Sequence, residues 1–309
     1  MNIIFMGTPD FAVPTLEALY SKGYTIDLVV TQKDRPRGRG KKVLYTPVKE
    51  KALEFGLEVF QPDSINSPQS LEMLEKYRPD FLVVVAYGQI LKKQVLEIPK
   101  YGSYNVHASL LPKYRGAAPI NWAIINGEKE TGVTIMEMEE GLDSGDIILK
   151  KSIPIESDDD SISIHNKLSE LGGKLIVGAL DKIASGDFIK IPQNHQESTY
   201  AVKLSKDFGK IDWKKTGRDI INLIRGLKPW PWAYFKYNEV TVKAHKAKII
   251  AQTGKGEIGE ILKVNSEGIF VYASDSIIVV EEIQFPGKRK MTVEEYLRGN
   301  TIEVGLVLD

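Results

Sequence analysis

The chain has 309 residues, with 41 basic against 41 acidic side chains and no cysteine. That length suits two domains, and the balanced charge points to no class of partner by itself. The missing cysteine excludes disulfides, cysteine nucleophiles and thiolate-bound metals.

The opening residues, MNIIFMGTPDF, lack the basic and long apolar regions of a signal peptide. No apolar run approaches the ~20 residues of a membrane span, so a soluble cytoplasmic protein is expected. Residues 2–6 form a short apolar run that predicts a buried parallel strand, broken by Gly7. A helix over 11–20 and a second strand over 24–31 complete a βαβ opening. It carries Gly-x-x-x-Phe in place of G-x-G-x-x-G, so the dinucleotide fingerprint is absent.

Residues 32–42, QKDRPRGRGKK, have no apolar periodicity and predict an exposed, mobile loop. Residues 31–51 hold eight basic and two acidic side chains. Such runs are usually solvated faces, yet a flexible Arg/Lys cluster also binds phosphates. Helices over 47–55 and 68–77 flank a short strand over 57–60. The β-branched run 81–86 predicts a central strand. Tyr87, Gly88, Gln89 and Ile90 follow at its carboxyl end, where ligands approach open α/β sheets.

The next strand carries Asn105 and His107. Their two-residue spacing puts both side chains on one face of a strand that ends in an abrupt turn. An amide can donate to a developing oxyanion, and an imidazole exchanges protons near neutrality. Asp143, in GLDSGDI, is the candidate to orient the ring. The other histidines, at positions 165, 195 and 245, lack metal-ligand spacing, so no metal is expected. A helix over 117–126, strands over 131–139 and 146–155, and a helix over 164–185 finish a mainly parallel α/β domain of residues 1–190.

Residues 191–206 predict a polar, turn-rich linker. From 207 to 309 the style changes to one helix over 217–227, several short strands and a short helix over 292–298, the pattern of a small barrel. Residues 206–255 carry twelve basic and four acidic side chains mixed with Phe208, Trp213, Trp230, Trp232 and Tyr234. That mixture suits nucleic-acid backbones, although most of these aromatics are expected in the domain core.

The words GTPDF, DRPRGRGKK, NVHASLLPKYRGAAPINWAI, TGVTIMEMEEGLDSGDI and PWPWAYF resemble the methionyl-tRNA formyltransferases from end to end. These belong to the superfamily that uses 10-formyltetrahydrofolate. The resemblance implies a Rossmann-like formyltransferase domain followed by an OB-like β-barrel that holds tRNA. It implies formyl transfer from the folate to the α-amine of initiator methionyl-tRNA, by a monomer, without metal. Asn105, His107 and Asp143 take the family's catalytic positions. Ser109, Leu110, Leu111 and Pro112 take its folate-contact segment, with Tyr87 to Ile90 as pterin neighbours. Arg35, Arg37, Arg39, Lys41 and Lys42 take its tRNA-binding loop, with Arg39 central. Trp232 departs from the many relatives that carry a small residue there. Two rivals are a formyltransferase for amino sugar nucleotides, against which the GRGKK loop argues, and a non-catalytic RNA-binding protein, against which the intact trio argues.

Overall fold

The computed structural model describes residues 1–37, 42–250 and 256–308. They form two compact units interlaced along the chain. One comprises Met1–Pro119, Glu130–Pro154 and His165–Ala201, the other Ile120–Lys129, Ile155–Ile164 and Val202–Asp309.

The first unit is built on a seven-stranded sheet. The run predicted for the first strand becomes β1 (Asn2–Gly7), with Ile3 to Met6 fully buried. Each such side chain contributes about 1.5–3 kcal/mol by leaving water. Helix α1 (Val13–Ser21) leads to β2 (Thr25–Val30). A two-stranded antiparallel ribbon follows, β3 (Arg35–Arg37) and β4 (Lys42–Leu44). Then come α2 (Pro47–Glu54), β5 (Val59–Phe60), α3 (Pro68–Lys76), β6 (Phe81–Val85), α4 (Lys93–Leu96) and β7 (Ser103–His107). After β8 (Arg115–Gly116) and α5 (Pro119–Ile125) the chain enters β9 (Glu130–Glu137), β10 (Ile147–Pro154) and the long helix α6 (Ser161–Ser185).

The strand order is β10-β9-β7-β6-β1-β2-β5. The five strands from β7 to β5 are parallel, and β9 and β10 add antiparallel pairs at one edge. This is the expected Rossmann-like, mainly parallel sheet. From β1 the chain runs first to β2 and β5, then crosses to β6 on the other side. The order therefore reverses between β1 and β6, the place where doubly wound sheets open a crevice at the strands' carboxyl ends. A small parallel pair, β8 with β11 (Tyr200–Ala201), lies outside the main sheet.

Close approach of α6 to the sheet and to α1 depends on two glycines. A Cβ at Gly172 would stand 2.7 Å from Val106 Cγ1 of β7, and one at Gly173 2.7 Å from the carbonyl oxygen of Pro14. Successive strand residues face opposite sides. Val106 therefore faces α6, while Asn105 and His107 face away.

The second unit carries α7 (Gly217–Gly226) and an antiparallel curled sheet. The sheet joins β12 (Tyr234–Tyr237), β13 (Val240–Ile250), β14 (Ile261–Asn265), β15 (Gly268–Tyr272), β16 (Ile277–Gln284) and β17 (Met291–Thr292). Its half-barrel form fits the OB-like domain expected. Helix α8 (Val293–Leu297) starts with a capping box between Thr292 and Glu295. Trp213 is buried near Phe235, as expected of a core aromatic, whereas Trp230 is 48% exposed. Trp232 is half-buried at positive φ (+78°), its ring centroid 4.1 Å from that of His245.

Candidate active site

Strand β7 lies between β6 and β9, with Asn105 beside Val84 on one side and Met136 on the other. The pairing fixes the Asn105 backbone and leaves its side chain half-buried on the face away from α6. Among the described residues the Asn105 amide has no hydrogen-bond partner, so it is available to a ligand.

His107 is 5% exposed. Its Nε2 lies 3.0 Å from the Tyr114 carbonyl oxygen. A carbonyl only accepts, so Nε2 carries a proton. Its Nδ1 lies 3.6 Å from Asp143 Oδ2, an ion-pair distance beyond hydrogen-bond range. Both ring nitrogens thus face oxygen atoms, of Tyr114 on one side and Asp143 on the other.

Asp143 reaches the ring from the loop between β9 and β10. It adopts the left-handed backbone region (φ +49°), which an Asp tolerates better than most residues. Its carboxylate accepts a hydrogen bond from the Gly116 amide at 2.8 Å. Two glycines let the loop fold back on itself: a Cβ at Gly141 would collide with Ser144 Oγ, and one at Gly145 with the Glu137 carbonyl oxygen. Asn105 and His107 therefore share one face of β7, and Asp143 stands beside the His107 ring.

The residues expected near folate divide. Ser109 is fully buried and donates its hydroxyl to the Lys113 carbonyl oxygen at 2.6 Å. Leu111 is buried with Met136 and Ile147, and its amide donates to Thr134 Oγ1 at 3.1 Å. These two build the turn from inside. Leu110 and Pro112 are half-buried. Tyr87 is buried, and its hydroxyl has no hydrogen-bond partner among the described residues. Burial pushes its phenol up to about 12. Gln89 holds the segment by accepting from the Ile65 amide at 2.9 Å, and Ile90 is 81% exposed.

Two cavities adjoin these segments. One of about 280 Å³ fills the crevice at the strand-order reversal, between Thr8, Gln32, Lys33, Arg35, Tyr87 and Gly88. The other, about 840 Å³, is lined by Leu96, Tyr101 to Ser103 and Glu137 to Gly141, and ends two residues before Asp143. None of the eight residues expected at folate lines this larger cavity. Among the described residues no cluster of His, Cys, Asp or Glu is placed to hold a metal ion, and no helix is long and apolar enough to cross a membrane.

The basic segment expected as a mobile loop has an ordered base. Arg35 pairs with Leu44 and Arg37 with Lys42 along the ribbon β3–β4. The sequence there carries no apolar stripe, so periodicity gave no sign of these strands. Lys49 Nζ lies 2.5 Å from Asp34 Oδ2 and 2.7 Å from Gln61 Oε1, while Gln61 Nε2 donates to Asp34 Oδ1 at 2.9 Å. Burial alone would push the Asp34 carboxyl up. The hydrogen bonds from Lys49 and Gln61, with the Lys49 charge, outweigh it and hold the group below the usual carboxylate range. The Arg35 side chain is exposed. Arg39 and Lys41 lie outside the described residues.

Sequence reasoning missed residues that support the trio. Arg115 is 3% exposed, and its guanidinium donates to Gln193 Oε1 at 3.1 and 2.7 Å. Gln193 Nε2 donates to the carbonyl oxygens of Asp143 and Gly145 at 2.9 and 2.7 Å. The Tyr114 and Arg115 amides donate to Thr199, at its Oγ1 and its carbonyl oxygen. Gln193 and Thr199 fall in the stretch read as linker, where no apolar pattern or motif distinguishes them from solvated polar residues.

Residues 1–180 match the profile of a family described as formyl transferase, and residues 203–301 that of its C-terminal domain. A methionyl-tRNA formyltransferase of Clostridium novyi is 49% identical over 309 residues, covering the whole of both chains. One of Caldanaerobacter subterraneus is 50% identical over the same span, again covering both chains fully. Among solved structures, an N-formyltransferase from Helicobacter canadensis, in complex with folinic acid and dTDP-3-aminofucose, superposes with a TM-score of 0.66. The alignment covers 90% of this chain and 98% of that one at 22% identity, a likeness of fold.

Proposed function

The chain belongs to the formyl transferase family, and from that premise we propose that it is a methionyl-tRNA formyltransferase. The reaction moves the formyl group of 10-formyltetrahydrofolate to the α-amine of methionine esterified to initiator tRNA. The products are N-formylmethionyl-tRNA and tetrahydrofolate. The observation that carries this reading is full-length identity near one half to methionyl-tRNA formyltransferases, in a chain that keeps Asn105, His107 and Asp143 together.

The neutral amine attacks the formyl carbon and gives a tetrahedral intermediate. Asn105, whose amide is unengaged, donates to the oxyanion. His107 in its protonated form adds positive charge beside it, and Asp143 holds the ring and balances that charge. The amine nitrogen then gives up a proton and the folate nitrogen gains one as the carbon–nitrogen bond to folate breaks. His107 or a water carries this proton. The 3.6 Å gap to Asp143 is of the kind that closes when substrates bind.

The larger cavity has the volume of a small-molecule site and adjoins the Asp143 loop, which suits it to the folate. Ser109 to Pro112 and Tyr87 to Ile90 lie outside that cavity and are assigned to the co-substrate through the family resemblance, Tyr87 and Gly88 from the wall of the crevice. The crevice with Lys33 and Arg35 on its wall suits the anionic acceptor end of the tRNA. Arg35, Arg37, Arg39, Lys41 and Lys42 bind that RNA as a group. In this reading residues 1–190 carry the catalytic site and 207–309 the tRNA-binding domain of a cytoplasmic monomer, joined by residues 191–206, which belong to the first unit as far as Ala201.

The test is formyl transfer from 10-formyltetrahydrofolate to methionyl initiator tRNA, with methionyl elongator tRNA and free methionine alongside. Transfer to the initiator alone is expected. No transfer to any of them from folded protein overturns the reading and moves the search to amino sugar nucleotides.

A further inference from the structure

Gln193 stands 50 residues from Asp143 in sequence and is 6% exposed. Its side-chain amide has two hydrogens and an oxygen with two lone pairs. Nε2 serves the carbonyl oxygens of Asp143 and Gly145, and Oε1 receives Nε and Nη2 of Arg115. The whole capacity of the group is used. A carboxylate here has no hydrogen for the two carbonyls, and an ammonium has no acceptor for the guanidinium.

The segment that Gln193 engages through Arg115 also holds the Asp143 side chain, because Gly116 follows Arg115 and donates to Asp143 Oδ2. Arg115 also turns Nη1 and Nη2 to His195 Nδ1, each at 3.3 Å. The backbone and the carboxylate of Asp143 are thus tied to one point. Asp143 lies in the left-handed region, which costs even an Asp some strain and calls for contacts that hold it there. Gln193 supplies that constraint. Thr199, six residues on, fixes the amide of Tyr114, whose carbonyl oxygen meets His107 Nε2. Neither family profile covers residues 193–199.

We propose that Gln193 is a positioning residue for formyl transfer, setting where Asp143 Oδ2 stands against His107 Nδ1. The proposal rests on the catalytic reading given above for Asn105, His107 and Asp143. Gln193 touches no reacting atom and acts through Asp143.

The experiment compares Gln193→Glu and Gln193→Ala in the full-length protein, each also in an Asp143→Asn background, with His107→Ala as the reference for the catalytic reading. Gln193→Glu keeps an acceptor for Arg115, so it preserves packing where the alanine variant does not. The expected result for folded Gln193→Glu is a kcat about 10- to 100-fold lower, with KM for both substrates within about threefold. In the Asp143→Asn background the same change costs less than about threefold, because the residue acts through Asp143. The ring nitrogen resonances of His107, read by NMR on histidine-labelled protein without substrates, move in Gln193→Glu. Parent kcat with unmoved His107 resonances in folded Gln193→Glu overturns the proposal. So does an equal loss in the Asp143→Asn background. Turnover retained by His107→Ala defeats the catalytic reading instead, and the His107 resonances still report whether Gln193 positions Asp143.

Discussion

Gly172 of α6 lies so close to Val106 of β7 that a methyl group on it would come within 2.7 Å of the valine Cγ1. Val106 is the residue between Asn105 and His107, so this packing reaches the site from behind. A Gly172→Ala change gains about 1 kcal/mol of helix propensity but overpacks a buried contact at about 1–3 kcal/mol. The clash wins or the terms nearly cancel. The expected outcome is a melting temperature equal to the parent's or lower, with a larger proportional loss of kcat as β7 shifts. Thermal unfolding and steady-state kinetics check it, and a variant with raised stability and full activity would contradict this account of the packing.

Substitution at the trio separates its roles. On the proposed mechanism Asn105→Ala removes an oxyanion donor and is expected to lower kcat by about 10²–10³. On the same mechanism His107→Ala removes the group proposed to carry the proton, at about 10²–10⁴. Because both act on one transition state, the double variant should lose less than the product of the two factors. Fully multiplicative losses would show that the residues act independently.

The base of the basic ribbon has its own pH signature. Asp34 is held below the usual carboxylate range in the folded protein, so its contribution is present above the ordinary Asp value near about 3.9. It is lost as pH falls through the lower folded value. Asp34→Asn is expected to cost about 1–2 kcal/mol at neutral pH and little in acid. Chemical denaturation at several pH values tests this. A stability difference that grows toward acid pH would reverse the assigned sign.

The phosphate binding proposed for the ribbon predicts a salt effect. Arg35→Ala should weaken tRNA binding and reduce the magnitude of the salt slope by about one unit for each phosphate the side chain neutralises. Folate affinity should stay within about twofold if the crevice and the larger cavity serve different substrates. Titrations of the acceptor tRNA and of the folate at several salt concentrations measure both. An unchanged salt slope would place Arg35 away from the RNA.

What the sequence disclosed follows the physics of each signal. Burial of a strand on both faces leaves an apolar run, so β1 and β6 were legible, and period two disclosed that Asn105 and His107 share a face. The ribbon β3–β4 was not legible, because backbone groups make its pairing and the residues that carry them show no apolar stripe. The motif of Ser109 and Leu111 gave no sign that the turn also uses their side chains internally. Gln193 was invisible because two of its partners are main-chain carbonyls, which leave no trace in the residues they belong to.

The interlacing of the units restricts how the chain can be divided. Asn121 and Ser161, from the two early excursions of the chain, both donate to the carbonyl oxygen of Gly226. A fragment ending at residue 190 would keep those two donors and discard their acceptor, together with Gln193 and the strand that pairs with β8. A fragment beginning at 203 would keep the acceptor and lack both donors. Recombining halves from two relatives at a single junction would therefore succeed only where the exchanged excursions match the new C-terminal half.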